Sequence, residues 1–510
     1  MSVKNGLIAV ASPNANEQLD GSVLFFNMDG DLLKQVTVGA LPDMVTFTPD
    51  GTKVLTANEG QPSVDYSVDP EGSVSIIDLS VGIANLTQAN VTTLDFTNFN
   101  ADEATLIASG IRKTKSTSTL SQDLEPEYIA VSSDGTKAWV TLQENNAIAE
   151  INLQTKVVTD IWALGTKDMS EAGNGFDASD NNQEILMANW PVKAYYIPDA
   201  VSTYKVGNAN YIITANEGDE KEYGSFVERT TVGATSYKLD SIAFPNAPLL
   251  KKGYNLGRMR VSNLNGDTDG DGDFDEIYCV GARSFSIFNA DTKTLVYDSG
   301  DDFEMYTAAA PSIAPLFNSD HEDNSLKSRS RAKGPEPEGV TVATLSNKHY
   351  AFVTLERVGG VMVYDVTDPN AVKFVDYKNS RSVSAYTGDH GPEGLVFIPK
   401  SASPNDKNYL VVANEISGTL TVFEVNDNNT TEPTDVKDVS PKVATFNVFP
   451  NPATKTVYFN RVADVEVIDV MGKVVYKGQQ QLTLDVTNFQ SGIYFVHTKD
   501  GAVARLVVNQ

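Results

Sequence analysis

One sequence unit recurs five times along this chain and constrains the fold more than any other feature. It reads proline–acid, apolar strand, turn, then a second strand ending in glutamate. Copies run from Leu41 (LPDMVTFTPDGTKVLTANEG), Glu125 (EPEYIAVSSDGTKAWVTLQE), Ile197, Glu336 and Gly391. A unit this short cannot bury its own apolar face, so successive units must stack. The runs at 21–27, 44–48, 54–57, 72–79 and 361–366 are rich in Val, Ile, Thr and Phe and lie between Gly, Asn, Asp and Pro turns, as strands do. Segments 7–38 and 258–297 add strands without the proline–acid start. Five clear copies and two partial ones predict an all-β fold, a β-propeller over residues 1–425 with seven blades; six is the alternative. Uneven spacing leaves long loops at 81–124, 168–195, 221–256 and 301–334, where function tends to sit on a rigid scaffold.

Residues 426–442 are polar and rich in Asn, Thr, Asp and Pro, the composition of a linker. Short alternating strands return over 443–510, which predicts a separate, small Ig-like β-sandwich.

In a propeller blade the first strand lines the channel and the second runs antiparallel beside it. The start of the first and the end of the second therefore share one face. The repeat puts an acid at both places: Asp43, Glu127, Asp199, Glu338 and Glu393, and then Glu59, Glu144, Glu217, Glu356 and Glu415. These ten carboxylates would circle one mouth of the channel and raise one another's pKa unless neutralised. Arginine and lysine can do this, and so can a hard cation with oxygen ligands. Asn58, Asn216 and Asn414 each precede one of the glutamates and offer amide oxygens, unless strand alternation turns them away. Capping of backbone amides is the other use of polar residues at such turns.

The densest acidic motif is Asn265-Gly266-Asp267-Thr268-Asp269-Gly270-Asp271-Gly272-Asp273-Phe274-Asp275-Glu276. Alternate residues of a tight loop can point inward and ligate Ca2+. An EF-hand would need Glu where Tyr278 stands, so the motif predicts a hairpin calcium loop with a structural role. With the ring included, more than one ion is expected.

The balance of 39 basic and 67 acidic residues gives a formal charge of −28. Such a surface repels phosphate backbones and anionic lipid, so neither nucleic acid nor a membrane surface is an expected partner. No apolar stretch approaches the ~20 residues of a transmembrane segment. Met1–Asn5 carry no signal-peptide run, so an exported form is expected to have begun with one. The single cysteine, Cys279, lies in an apolar run and reads as a buried strand residue.

Of four histidines, His349 and His497 read as structural. His390, in Gly388-Asp389-His390-Gly391-Pro392-Glu393, adjoins the ring as an acid/base or metal candidate. His321 lies in a long loop. Arg329, Arg331, Lys333 and Arg357 can clamp a phosphate or neutralise ring acids. Arg283-Ser284 reads as a tight turn, since no nucleophile elbow accompanies the serine.

Residues 1–425 resemble the choice-of-anchor I domain family of bacterial extracellular propellers. The match runs through Ala57-Asn58-Glu59-Gly60, Asp69-Pro70-Glu71-Gly72, the aspartate motif with Gly281-Ala282-Arg283-Ser284-Phe285, Lys333-Gly334-Pro335-Glu336-Pro337-Glu338-Gly339 and Leu355-Glu356-Arg357-Val358-Gly359-Gly360. Residues 443–510 resemble the type A sorting domain of the type IX secretion system of Bacteroidota, through Asn447-Val448-Phe449-Pro450-Asn451-Pro452, 467–475 and 491–496. This second resemblance implies the secretion machinery as partner and an extracellular or outer-membrane surface location, with the sorting domain cleaved.

The first resemblance implies alkaline phosphatase or phytase-like activity for some relatives. Together with the ring it predicts a metal-dependent phosphoesterase, a hydrolase of a small phosphate ester at the channel mouth. His390, Arg329, Arg331, Lys333 and Arg357 would be its catalytic residues. A lactonase fits the same ring. The alternative is a non-catalytic adhesion or ligand-binding propeller with structural calcium.

Overall fold

Each repeat begins as a hairpin whose turn is written in its own residues. In 48–53, Asp50 accepts from Thr52 N at 3.0 Å and Thr48 Oγ1 at 2.7 Å, while Gly51 takes φ 72°. In 132–137, Asp134 accepts from Thr136 N at 3.0 Å and Ser132 Oγ at 2.7 Å, with Gly135 at φ 68°. These bonds favour the ionised carboxyl and bring Asp50 and Asp134 down to about 2.

The computed structural model describes residues 1–510 apart from 183, 225, 427–445, 447, 450, 470–472, 500 and 510. Among these, six antiparallel meander sheets succeed one another. The first runs Ser2–Lys4, Leu7–Ser12, Asp20–Phe26, Leu32–Ala40. The second runs Pro42–Phe47, Lys53–Asn58, Ser73–Asp78, Val91–Asp95. The third is Pro126–Val131, Lys137–Leu142, Ala147–Asn152, Val157–Ala163. The fourth is Val201–Val206, Ala209–Ala215, Phe285–Asn289, Thr294–Asp298. The fifth is Pro337–Leu345, Lys348–Leu355, Val361–Asp365, Lys373–Lys378. The sixth has three strands, Pro392–Ile398, Asn408–Asn414 and Thr419–Val425.

This is the expected all-β propeller, with six such meander sheets among the described residues, where seven blades were favoured and six was the alternative. The strands counted at 258–297 make no sheet of their own. Phe285–Asn289 pairs with Ala209–Ala215, from Tyr211↔Asn289 to Ala215↔Phe285, and so completes the fourth sheet.

The sheets stack face to face, which explains why their middle strands do not alternate. Five of the six residues of Lys53–Asn58 are buried, as are five of Ser73–Asp78, whereas the outer strand Val157–Ala163 alternates along its first half. Val54, Leu55, Val74 and Ile76 have no exposed surface, and each such aliphatic side chain contributes roughly 1.5–3 kcal/mol.

A long excursion separates the two middle strands of the fourth sheet. It carries the pair Arg229–Thr231/Arg260–Ser262 and the strand Tyr278–Val280, which runs parallel to Lys193–Tyr195. Cys279 lies in that strand, buried as expected, and burial pushes its thiol up to about 12. The loop 301–334 contains the helix Asp302–Ala309.

The C-terminal unit is a five-stranded sheet with its own core, including Val457, Val467, Val496 and Leu506. The linker expected at 426–442 lies, apart from Asn426, outside the described residues. No helix among those described is long and apolar enough to cross a membrane.

Candidate functional site

The proline–acid step builds the channel mouth through a recurring irregularity. Pro42 pairs with Asn58 and Val45 with Thr56, so one extra residue bulges from the first strand. The same shift separates Pro126 from Ile129, Pro337 from Val340 and Pro392 from Leu395. The bulged stretch holds the acid: Asp43, Glu127, Glu338 or Glu393. A bulge turns a side chain out of the alternation it would otherwise obey.

The residue before the proline takes left-handed φ in four copies: Leu41 at 47°, Ile197 at 46°, Glu336 at 52° and Gly391 at 65°. For a residue with a Cβ this costs about 1–2 kcal/mol. It turns the carbonyl toward the end of the second strand. Glu59 N donates to Leu41 O at 3.0 Å, Glu356 N to Glu336 O at 2.8 Å and Glu415 N to Gly391 O at 2.7 Å. The two acids of a repeat are thus fixed beside each other by backbone bonds.

Asp43, Glu127, Asp199, Glu217, Glu338, Glu356 and Glu393 line one cavity of ≈ 340 Å³, with Gln143, Asp219, Lys333 and Arg357. Ligand oxygens of Asp43, Glu59 and Glu127 lie within 4.8 Å of one another, as do those of Glu217, Glu338 and Glu356. Burial, then neighbouring carboxylates, push Glu59 up to about 9 and Glu144 up to about 8. Burial likewise takes Glu217 to about 8 against the pull of Lys333. Glu127, Asp199 and Glu338 are raised well above the carboxylate range by burial and by one another. Glu144 Oε2 and Glu338 Oε2 are buried without a hydrogen-bond partner among the described residues. An all-carboxylate donor set with unsatisfied oxygens fits a hard divalent cation.

A layer of cations borders the acids, gathered by the fully buried Glu336. Arg329 Nη2 lies 2.7 Å from it, Arg357 Nε 3.0 Å and Lys333 Nζ 3.4 Å. Burial opposes its charge, yet these three outweigh burial and bring Glu336 down to about 2. Lys333 also meets Glu217 at 2.6 Å, and Arg357 meets Glu356 at 3.1 Å. His321 Nδ1 stands 2.7 Å from Glu356 Oε1. A second cavity of ≈ 380 Å³ adjoins the first, shares Asp219, Lys333 and Arg357 with it, and is lined besides by Lys221, Arg229, Arg260 and Arg329. Arg283 donates to the carbonyls of Ser330 and Ala332, both at 2.7 Å, and so holds the segment that presents Lys333. Its neighbour Ser284 donates to Asp298 at 2.7 Å.

Not every sequence-predicted residue arrives at the mouth. Glu415 is exposed and lines neither cavity, while Glu144 lines the second one. Arg331 pairs with Asp180 at 2.9 Å and also lines neither. His390 is buried against Tyr386, ring centroids 4.3 Å apart, and its ring nitrogens have no partner among the described residues. Burial and Arg381 lower its pKa.

The asparagines point away from the acids. Asn58 accepts from Thr56 Oγ1 at 2.9 Å and donates to Ser75 Oγ at 3.1 Å, and Asn216 does the same with Thr214 at 2.8 Å and Ser286 at 2.8 Å. Asn414 bonds Thr421 Oγ1 at 2.8 Å. All three lock strands together.

The aspartate motif splits into two groups. Oxygens of Asp267, Asp269 and Asp271 form one, and Asp273 and Asp275 join Asp240 in another.

Glu336, Lys221, Arg260 and Gln143 escape a reading of the sequence. Glu125 and Glu336 carry a signal all the same, since they put a charge before the proline where Leu41, Ile197 and Gly391 do not. Lys221 and Arg260 lie in the excursion and have no repeat to betray them.

Residues 1–369 match the profile of the Choice-of-anchor I domain, and residues 447–509 match the Secretion system C-terminal sorting domain. Gigasin-3a of Magallana gigas is 30% identical over 186 residues, 33% of this chain and 64% of that protein. The Mesenchyme-specific cell surface glycoprotein of Strongylocentrotus purpuratus is 26% identical over 347 residues, 61% of this chain and 41% of that protein. The chain thus spans less than two thirds of the length of either relative. Among solved structures, the periplasmic gluconolactonase of Pseudomonas aeruginosa is similar at 12% identity and TM-score 0.35, covering 99% of this chain and 100% of that one.

Proposed function

This chain belongs to the choice-of-anchor I domain family and is exported by the type IX system to the cell surface or beyond, and from that premise we propose that it is a divalent-cation-dependent phosphoesterase working at the channel mouth. The observation that carries the reading is the junction of an acid-lined cavity with a cation-lined one across Lys333 and Arg357. The two carboxylate triads are the groups that would hold cations, calcium being the hard ion they suit. A cation there supplies Lewis acidity toward a phosphoryl oxygen.

The chain's own residues do the rest. Lys333 and Arg357, fixed by Glu336, bind the non-bridging oxygens of the ester and orient its phosphorus toward the acids. Their charge meets the negative charge on those oxygens as a new P–O bond to water forms, the ester P–O bond breaks and a proton from that water passes to the departing alcohol. Glu217, held by Lys333 and by Gln143 at 2.9 Å, keeps its oxygens aimed into the cavity.

The test is phosphate release from an aryl phosphate monoester by the full chain. Turnover with calcium, its loss in EDTA, and a fall of about 10²-fold in kcat/KM for Arg357→Met are expected. Calcium binding without turnover on any phosphate ester would reduce the mouth to a ligand-capture site.

A further inference from the structure

We infer that the cation-lined cavity beside the ring is an oxyanion site in its own right, with Arg260 as its anchor, and that it takes phosphate without any metal. The other cations of that wall already have carboxylate partners, Arg357 at Glu336 among them. Arg329 is engaged by Glu336, Lys333 by Glu217, Arg229 by Glu222 at 3.0 Å and Lys221 by Glu125 at 2.9 Å. Arg260 lines the same cavity and makes no side-chain hydrogen bond or ion pair among the described residues.

Its placement is nonetheless fixed. The strand Arg260–Ser262 pairs with Arg229–Thr231, with Thr231 opposite Arg260, and Arg260 N donates to Arg331 O at 2.8 Å. Burial lowers its pKa, and Arg329 and Arg229 add to this while Glu220 works against it. The half-buried Arg260 guanidinium is thus crowded by the like charges of Arg329, Arg229 and Arg331, which Glu220 offsets in part. An anion seated among these arginines relieves that repulsion. The planar fork of N–H donors matches two oxygens of a tetrahedral oxyanion. Glu144, Asp219, Glu220 and Glu222 also border the cavity, and they limit it to a ligand that reaches Arg260 itself.

The site is independent of turnover, so it is tested on EDTA-treated full chain by calorimetric titration with inorganic phosphate. One phosphate per chain is expected, with binding weakened about tenfold or more by Arg260→Met and partly kept in Arg260→Lys. Because Arg260 makes no side-chain hydrogen bond or ion pair among the described residues, Arg260→Met should unfold close to the parent's temperature, which separates a lost site from a lost fold. Phosphate binding that appears only with calcium, or that Arg260→Met leaves unchanged, overturns the inference. Failure of the chain to hydrolyse phosphate esters does not touch it.

Discussion

The mouth ring and the aspartate loop are both acidic, yet they handle charge in opposite ways. Loop carboxylates are largely satisfied by their own backbone. Asp267 accepts from Gly270 N at 2.7 Å and Gly272 N at 3.1 Å, and Asp275 accepts from Thr268 N at 2.8 Å. The Thr268 bonds lower the pKa of Asp275. Ring carboxylates come from strands hundreds of residues apart and meet in a cavity, where burial raises the pKa of Glu59, Glu127, Asp199, Glu217 and Glu338. The density of acids along a sequence therefore misleads about where unsatisfied charge collects. Bulge and backbone turn, repeated from sheet to sheet, concentrate it more effectively than an Asp-rich run.

The sharpest way to break this contrast is to neutralise each region in turn. Glu217→Gln with Glu338→Gln neutralises two of the three carboxylates of one triad. Phosphate-ester turnover should fall by about 10³-fold. Asp267→Asn with Asp269→Asn and Asp271→Asn should leave kcat/KM within about threefold of the parent, because no step at the mouth uses the loop. Equal losses from both variants would merge the two regions into one functional unit.

A second effect is read in stability. Glu59, Glu144 and Glu217 titrate at about 9, 8 and 8 in the fold, against an ordinary 4.5. Between those values the folded state binds more protons than the unfolded one. Their contribution is therefore most favourable at and below the unfolded pKa, and it falls as pH rises through 4.5 toward 8–9. Cation-free protein should unfold at lower temperature at pH 8.5 than at pH 5.5, by on the order of 5 °C. Calcium should restore more at pH 8.5 than at pH 5.5, with protons released on binding. The loop triple variant should keep the whole pattern, and a flat profile in the parent would contradict the buried charge of the ring.

The strands, their pairing and the two acid positions were legible because they repeat, and repetition exposes a period. The strands at 258–297 were misassigned for the same reason: the long excursion hides the continuity between Ala209–Ala215 and Phe285–Asn289, so one sheet was counted as two. The asparagines before the glutamates looked like ligands in sequence. Alternation instead sends Asn58 and Asn216 into the sheet, where hydroxyls satisfy them. Arg260 and Lys221 were illegible because nonrepeating segments bring them to the mouth, and only their final neighbours give them a role.

The smallest effect is expected in the loop itself, and it tests whether the loop's satisfaction is internal. Asp267→Asn keeps one of the two side-chain oxygens that now serve Gly270 and Gly272, whereas Asp267→Ala keeps none. The site is exposed, so without calcium Asp267→Ala should cost only about 0.5–1 kcal/mol and Asp267→Asn close to nothing. Both remove a charge from the Asp267, Asp269 and Asp271 group, so both should abolish any calcium-dependent protection of 265–276 from proteolysis. The parent loop, expected to be cut in EDTA and spared in millimolar calcium, is the reference. If Asp267→Asn stays protected, calcium is not held by this trio, and the loop's shape rests on its backbone hydrogen bonds alone.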